Sequence, residues 1–313
     1  MEKNKVLITG GAGYIGSRLV PALLEKDYHV TVLDLLSYGE PSLLQFCDHK
    51  NFEFQRGDAS DPSTMKSLLS YCDTIIPLAA VVGAPACKLN PSAAMSINYE
   101  QINYIANNIS KEQKLIYPTT NSGYGIAENN EMCTEESPLN PISLYGTTKA
   151  DAETAVLESG NGICFRLATV FGTSPRMRWD LLVNDFTLRA VQDKSIVLFE
   201  GDFKRNYIHI KDVCNTFIYG IENYEKLNNE IYNLGLSSAN LTKRQLAEKI
   251  KEVVTGLVII DSDIGSDPDK RDYIVSNEKL EKTGWSPNHS LEDGLIELVK
   301  AAKFVPVKPG ANV

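Results

Sequence analysis

Apolar runs rich in β-branched residues alternate with helical patterns along the first half of the chain. Five of these runs predict strands, at residues 6–9, 29–34, 52–55, 74–78 and 114–117. The stretches between them predict helices, of which the longest cover residues 14–26 and 91–110. Strands that alternate with helices form parallel sheets through βαβ crossovers. The pattern therefore predicts an α/β fold with a Rossmann-type, doubly wound parallel sheet.

The regular alternation of predicted strands and helices ends at about residue 172. A helical pattern at 180–192, a strand-like run at 195–201 and late helices at 243–254 and 291–302 predict a smaller C-terminal α/β lobe. We expect residues 1–171 to form the first domain and residues 172–313 to form mainly the second lobe. Residues 204–235 are expected to return to the first domain, so the boundary is not a clean one.

Composition narrows the possible classes of protein. The 313 residues carry a formal net charge of −9, which argues against nucleic-acid binding because phosphate contacts use clustered Lys and Arg. The apolar runs are too short to span a bilayer or to form a signal peptide. We expect a cytoplasmic protein with no membrane partner. The six cysteines form no CxxC pair and the four histidines are scattered, so no metal site is expected.

The sequence TGGAGYIG follows the first predicted strand and opens the first predicted helix. Its spacing places glycines at Gly10, Gly13 and Gly16. The first two allow the backbone to approach a pyrophosphate at a helix N-terminus, and the third permits close helix packing. Asp34 ends the next strand, where a carboxylate accepts hydrogen bonds from ribose hydroxyls and repels a 2′-phosphate. These residues predict a site for NAD rather than NADP.

The sequence GDASD follows the third predicted strand and has two interpretations. Asp58 could contact the adenine amino group of the cofactor, with Ala59 beside it. A carboxylate here could equally cap a helix, since the Asp61-Pro62 pair marks a helix start. The residues alone leave both alternatives open.

The sequence LYGTTKA contains Tyr145 and Lys149, four positions apart and therefore on one face of a helix. An ammonium group near a phenol stabilises the phenolate and lowers a pKa that starts at about 10. The pair is a candidate general base for a reaction near neutral pH. A solvated helix face with the same two residues is the alternative.

Together with LAA at 78–80, Thr120, FRLATVFG, RNYIHIKDV and RDYIVSNEKL, these motifs resemble the NAD-dependent epimerase/dehydratase family. This family belongs to the extended short-chain dehydrogenases/reductases and acts on nucleotide sugars. The resemblance covers nearly the whole chain. It implies NAD as the cofactor, a nucleotide sugar as the substrate, and a homodimer or homotetramer. The pairing helices would be residues 91–110 and the helix that carries Tyr145.

The resemblance also implies roles for individual residues. Thr120 would bind the sugar 4-hydroxyl, Tyr145 would take its proton, and Lys149 would also hold the nicotinamide ribose. The other implied cofactor contacts are Gly10, Gly13, Tyr14, Ile15, Gly16, Asp34, Asp58, Ala59, Leu78, Ala79, Ala80 and Asn98. The implied substrate contacts are Val82, Asn121, Ser122, Asn184, Arg205 and Arg271, where the two arginines would reach the pyrophosphate and forked guanidinium groups suit its oxygens.

Dehydratases of the family place a Glu two residues after the threonine, and many of them place an Asp one residue after it. This chain has Asn121 and Ser122 there, and neither side chain is a useful acid or base on its own. Glu128 and Glu131 lie beyond the YG pair. The sequence therefore disfavours 4,6-dehydration and leaves two outcomes open, a 4-dehydrogenase and a 4-epimerase.

The stretches VVGAPACKLNP, RMRWDLLVND and RDYIVSNEKL resemble enzymes that act on GDP-linked heptoses in bacterial capsule polysaccharide biosynthesis. This likeness favours oxidation of a GDP-heptose at carbon 4 without dehydration. A 4-epimerase with tightly bound NAD is the alternative, and a non-catalytic NAD-binding sensor is the alternative from another class.

Overall fold

The computed structural model describes residues 4–126, 132–262 and 271–306. Its largest element is a seven-stranded parallel sheet. The strands of this sheet are β1 (Lys5–Thr9), β2 (His29–Asp34), β3 (Phe52–Arg56), β4 (Thr74–Pro77), β5 (Lys114–Thr120), β7 (Ile163–Leu167) and β11 (Glu230–Leu234). They lie in the order β11-β7-β5-β4-β1-β2-β3. The predicted Rossmann-type fold class is confirmed.

Helices cover both faces of this sheet and connect its strands. The helices are α1 (Gly16–Glu25), α2 (Pro62–Leu69), α3 (Ala84–Leu89), α4 (Pro91–Met95), α5 (Gln101–Asn108), α6 (Leu144–Glu158), α7 (Leu182–Gln192), α8 (Ile210–Glu222), α9 (Tyr224–Leu227), α10 (Lys243–Val253), α11 (Glu278–Glu281) and α12 (Leu291–Ala302). Helices α1 and α8 bury apolar side chains on one face, while α2, α5 and α6 do so on the other. The sheet is therefore doubly wound, and central strands such as β4 and β7 are buried on both sides.

Smaller sheets form much of the C-terminal part of the chain. Their strands are β6 (Met132–Cys133), β8 (Thr169–Phe171), β9 (Ser195–Leu198), β10 (Lys204–His209), β12 (Asn240–Thr242), β13 (Val258–Asp261) and β14 (Ile274–Val275). They pair as β12-β10-β8, β13-β9 and β14-β6. Between these elements the chain returns to the large sheet, because β11 pairs in parallel with β7. The proposed domain limits themselves stay a prediction.

Several predicted elements differ from the observed ones; the strand-like run predicted at 195–201, for example, ends at Leu198. Strand β5 continues to Thr120, beyond the predicted end at residue 117, because it pairs with β7 through that residue. The predicted helix 91–110 is interrupted by a π-helical turn at Ser96–Glu100 and ends at Asn108. Such turns often occur at functional sites, and this one contains the buried Asn98.

The order of the strands places the site. Neighbours β2 and β4 flank β1, and the chain proceeds in opposite directions from these two sides of the sheet. In open α/β sheets a ligand crevice forms outside the carboxyl ends of the strands at this switch point. Residues that follow β1, β4 and β5 therefore surround one crevice.

Candidate active site

The glycine loop, residues 10–16, follows β1 and leads into α1. Gly10 has a φ of +69°, and a Cβ there would lie 2.5 Å from the backbone nitrogen of Ala79. A Cβ at Gly16 would lie 2.4 Å from the carbonyl oxygen of Gly11. Side chains are thus excluded where the strand turns and where the helix packs. The N-terminus of α1 is left open to an anion, which fits a dinucleotide pyrophosphate.

Asp34 lies at the carboxyl end of β2, beside the glycine loop. Its carboxylate accepts hydrogen bonds from the N–H groups of Ala12, at 2.9 Å, and Leu36, at 2.8 Å. An ionised carboxylate has about four lone-pair sites, so acceptor capacity remains for ribose hydroxyls. The placement fits the ribose role predicted for Asp34.

Tyr14 and Asn184 are joined to each other. The Tyr14 hydroxyl donates to the carbonyl of Gly172 at 2.7 Å and accepts from the Asn184 amide at 3.2 Å. The Asn184 amide oxygen accepts from the N–H of Gly172 at 3.1 Å, and its side chain is completely buried. This arrangement links the glycine loop to the segment after β8. The nucleotide contact of Asn184 and the cofactor contacts of Tyr14 and Ile15 stay predictions.

The two interpretations of GDASD are partly separated. Asp61 caps α2, with its carboxylate accepting from the N–H groups of Ser63 and Thr64. Asp58 instead accepts from the N–H and hydroxyl of Ser60, at 2.8 and 2.7 Å. The helix-capping role therefore belongs to Asp61. The adenine contact of Asp58, with buried Ala59 beside it, stays a prediction.

The segment after β4 runs along the crevice. The N–H of Leu78 donates to the carbonyl of Thr9 at 2.8 Å. The Asn98 amide bonds both backbone groups of Val81, accepting at 2.8 Å and donating at 3.0 Å. Asn98 thus holds the loop that contains residues 78–82, including Leu78, Ala79, Ala80 and the exposed Val82. Its direct contact with a cofactor stays a prediction.

Thr120, Ser122 and Tyr145 meet at the carboxyl end of β5. We call residues 120–124 the reaction turn; its helical part is Asn121–Tyr124. The hydroxyls of Thr120 and Ser122 lie 2.9 Å apart, and Thr120 acts on the phenol of Tyr145 so as to lower its pKa. Tyr145 reaches this turn because α6 begins at Leu144, where the Ser143 side chain caps the helix.

Lys149 lies one turn further along α6 and is almost completely buried. Its ammonium nitrogen lies 4.2 Å from the centre of the Tyr117 ring. Burial lowers the pKa of Lys149 to about 7, while Cys164 and Glu153 act in the opposite direction. Burial raises the pKa of Tyr145, and the charges of Arg271 and Arg178 and the Thr120 bond lower it. The predicted threonine, tyrosine and lysine are therefore brought together in one polar cluster beneath the crevice.

Arg271 lies beside the reaction turn. Its guanidinium donates a hydrogen bond to the Ser122 hydroxyl and another to the Tyr273 hydroxyl, the latter at 3.4 Å. Arg205 is buried, and its guanidinium carbon lies 5.9 Å from the centre of the same tyrosine ring. The two predicted pyrophosphate arginines thus flank Tyr273. Sequence reasoning gave no role to Tyr273, although it stands in the RDYIVSNEKL motif.

Asn121 differs from the other predicted substrate contacts. Its side chain is completely buried, and neither amide atom has a hydrogen-bond partner among the described residues. Buried polar groups are nearly always paired, so this amide has capacity for a ligand or an ordered water. The acids at Glu128 and Glu131 lie outside the described residues.

Arg176 and Arg178 were not assigned as contacts by the sequence, but they lie close to the cofactor side. The Arg176 guanidinium stacks on Tyr38, with its carbon 3.9 Å from the ring centre. Arg178 pairs with Asp180 and also acts on Tyr145. Each of these cations is paired with a carboxylate, Arg176 with Glu40 and Arg178 with Asp180.

Comparison with known proteins agrees with this geometry. The model of the NAD dependent epimerase/dehydratase family matches residues 6–235. The Low-salt glycan biosynthesis protein Agl12 of Haloferax volcanii is 29% identical, with 93% of this chain and 96% of the relative covered. UDP-glucuronic acid decarboxylase 1 of Arabidopsis thaliana is 28% identical, with 95% and 69% covered.

Solved structures also match the fold. The UDP-glucose 4-epimerase of Thermotoga maritima, solved with UDP-glucose, is 27% identical with a TM-score of 0.81, and the match covers 96% of this chain and 98% of that one. In the described residues, no helix has the length and apolar character needed to cross a membrane. Since the family model covers most of the sequence, this chain belongs to the NAD-dependent epimerase/dehydratase family, whose members act with NAD.

Proposed function

We propose that this protein oxidises a nucleotide sugar at carbon 4 and does not continue to dehydration. The proposed substrate is a GDP-linked heptose, and the proposed product is its 4-keto form, for use in bacterial capsule polysaccharide. The sugar and the base rest on the sequence likeness of VVGAPACKLNP, RMRWDLLVND and RDYIVSNEKL. The reaction at carbon 4 rests on the cluster of Thr120, Tyr145 and Lys149.

The chemistry is assigned to these three side chains. Thr120 holds the sugar 4-hydroxyl by a hydrogen bond, next to the phenol of Tyr145. Tyr145 as phenolate removes the hydroxyl proton, and the Lys149 ammonium favours the phenolate. When bound, NAD supplies the acceptor for the hydride that leaves carbon 4. Asp34 and the N-terminus of α1 would hold its ribose and pyrophosphate.

One observation argues most strongly against dehydration: Arg271 donates to Ser122, the position at which family dehydratases carry the glutamate base. Arginine stays protonated in proteins, and it accepts no proton from carbon 5. Neutral Asn121 occupies the position of the acid. Removal of the carbon-5 proton and protonation of the leaving hydroxyl would both lack a titrating group at these positions.

A 4-epimerase is the second candidate, because the same three side chains serve both reactions and the similar structure from Thermotoga maritima is a 4-epimerase. In this alternative the keto sugar rotates and hydride returns to its other face. A 4-dehydrogenase instead releases the keto sugar. The two differ in whether reduced cofactor accumulates.

The test is incubation with GDP-heptose and a panel of other GDP- and UDP-sugars, including UDP-glucuronic acid, in deuterated water with added NAD. We expect NADH and a 4-keto sugar with its 6-hydroxyl retained. A mixture of 4-epimers without net NADH would establish the epimerase instead. Deuterium at carbon 5 together with loss of the 6-hydroxyl would contradict the argument from Ser122 and Arg271.

Assembly forms part of the proposal. We propose a homodimer or homotetramer paired through α4, α5 and α6, of which α5 and α6 pack side by side. Sedimentation equilibrium gives the mass directly. A monomer at micromolar concentration would contradict this part without affecting the chemistry.

A further inference from the structure

A buried ion pair lies beneath the catalytic cluster. Arg166 on β7 and Glu153 on α6 are each 3% exposed. The guanidinium donates two hydrogen bonds to the carboxylate, from Nη2 to Oε1 at 2.6 Å and from Nε to Oε2 at 3.1 Å. Glu153 stands one helical turn after Lys149, so the pair attaches the catalytic helix to the sheet at that point.

The same guanidinium also reaches the reaction turn. Its Nη1 donates to the Tyr124 hydroxyl at 2.9 Å, and Tyr124 is the last residue of that turn. The Tyr124 hydroxyl lies 2.7 Å from the amide oxygen of Asn233 on β11. A single buried group therefore contacts both the helix that carries Tyr145 and Lys149 and the turn that begins with Thr120.

A buried ion pair of this kind contributes little net stability to a protein core. Desolvation of two charges offsets much of their attraction, and apolar replacements of similar volume are often as stable or more stable. Stability alone therefore explains little of this arrangement. What an apolar pair would lack is the charge beside Lys149 and the directional contact with Tyr124.

The surroundings of Lys149 show where this charge acts. The groups that act on it or contact it are Glu153, one helical turn later on its own helix, Tyr117 on β5 and Cys164 on β7. Glu153 is the carboxylate that acts on the ammonium. Arg166 in turn balances Glu153, so that the interior carries a matched pair rather than a lone negative charge.

We propose that Arg166 and Glu153 are positioning residues for sugar oxidation: the guanidinium holds the reaction turn and the catalytic helix in register, and the carboxylate keeps Lys149 in its ammonium form. This proposal rests on the proposed function of Tyr145 and Lys149. The charge and the register make separate predictions, and each can be measured alone.

The charge is tested with Glu153→Gln, with Glu153→Asp as the variant that retains it. Removing a negative charge disfavours the nearby ammonium, so the pKa of Lys149 falls and the ammonium is lost at lower pH. We expect kcat in Glu153→Gln to fall by about tenfold at pH values above the pKa of Lys149 and to change little well below it, because fewer molecules then carry the ammonium. In Glu153→Asp the pH profile should match that of the wild type. An equal loss of kcat at every pH would mean a merely structural role.

The effect of the Glu153 charge on Lys149 can also be measured without any enzymatic reaction. Titration of the Lys149 Cε signal by NMR, in protein without nucleotide sugar, should show a lower pKa in Glu153→Gln than in the wild type. An unchanged pKa would overturn the proposal even if the enzyme oxidises sugars. A lowered pKa in a protein that oxidises no nucleotide sugar would instead refute the proposed function and leave the electrostatic link intact.

The second role, fixing the reaction turn relative to the catalytic helix, is tested with two tyrosine variants. Tyr124→Phe removes the hydroxyl that Arg166 contacts. Tyr224→Phe removes a buried hydroxyl of similar bonding, 3.1 Å from the N–H of Leu115 and 3.0 Å from Asn161, away from the reaction turn. We expect about a tenfold loss of kcat with little change in KM for Tyr124→Phe and normal kcat for Tyr224→Phe. Equal losses in both, or none in Tyr124→Phe, would contradict the proposal.

Discussion

The two ends of the crevice are built in different ways. The cofactor end is made of main chain: glycines that exclude side chains, the N-terminus of α1, and one carboxylate that already bonds the glycine loop. The reaction end is made of side chains from three separate segments, with Thr120 and Ser122 on the reaction turn, Tyr145 on α6 and Arg271 near the C-terminus.

This difference separates cofactor binding from the outcome of the reaction. A main-chain cradle for pyrophosphate suits any reaction that uses the same dinucleotide. The side chains next to Thr120 decide the fate of the oxidised sugar, because each could supply or withhold a proton. Substitutions at the two ends should therefore produce different defects, and four variants test that separation.

Tyr145→Phe should give the largest effect, and only at the reaction end. The phenol is the proposed base, so its removal should lower kcat for sugar oxidation by about 10²–10⁴-fold. NAD binding should change little, because the cofactor end is intact. NADH formation measures the first quantity and thermal stabilisation by NAD measures the second. Wild-type turnover in this variant would refute the assignment of Tyr145.

Gly10→Ala should damage the cofactor end. The new Cβ would lie 2.5 Å from the Ala79 nitrogen at a φ of +69°, and the left-handed backbone adds roughly 1–2 kcal/mol of strain. We expect NAD affinity to fall by about 10–100-fold, as measured by calorimetry. Gly39→Ala is the control, since Gly39 has a φ of +71° but open space around it. Equal losses in both variants would mean that strain, and not the close approach, is responsible.

The sequence predicts the cofactor end better than the reaction end, and the reason is physical. The glycine loop, Asp34 and the first strands are specified by residues close together in the chain, so spacing alone predicts their arrangement. The extension of β5 to Thr120 depends on pairing with β7, which no local pattern indicates. The same is true of the π-helical turn that contains Asn98.

The roles of polar residues were harder to predict than their importance. Asn184 and Tyr14 are predicted ligand contacts, and the sequence did not indicate that they bond to each other across a long separation. Arg271 is a predicted pyrophosphate contact, and the sequence did not indicate its bond to Ser122. Arg166 appeared only within the FRLATVFG motif, because nothing in a single sequence shows that Glu153 and Tyr124 converge on it.

Arg271→Gln should produce an intermediate effect that identifies how the reaction end is tuned. The guanidinium lowers the pKa of Tyr145, so its loss raises that pKa and the phenolate forms only at higher pH. We expect kcat to fall by about tenfold at pH values below the pKa of Tyr145 and to approach the wild-type value above it, because one unit of pKa is about tenfold in phenolate. Arg244→Gln, at an exposed ion pair with Asp261, should leave the profile in place. An unchanged pH profile of kcat together with a raised KM would mean that Arg271 serves phosphate binding alone.

Asp34→Asn should have the smallest effect and test the cofactor end by chemistry rather than by shape. The amide oxygen can still accept from the N–H of Ala12 or Leu36, so the glycine loop should keep its form. The variant loses the negative charge that repels a 2′-phosphate. We expect the ratio of NADP to NAD dissociation constants to fall by about fivefold, consistent with roughly 1 kcal/mol between charges in a solvated site. The ratio is the diagnostic quantity, because general loosening of the loop would weaken both cofactors equally and leave it unchanged. An unchanged ratio would therefore show that the Asp34 charge does not discriminate, and that its hydrogen bonds to the loop are its main role.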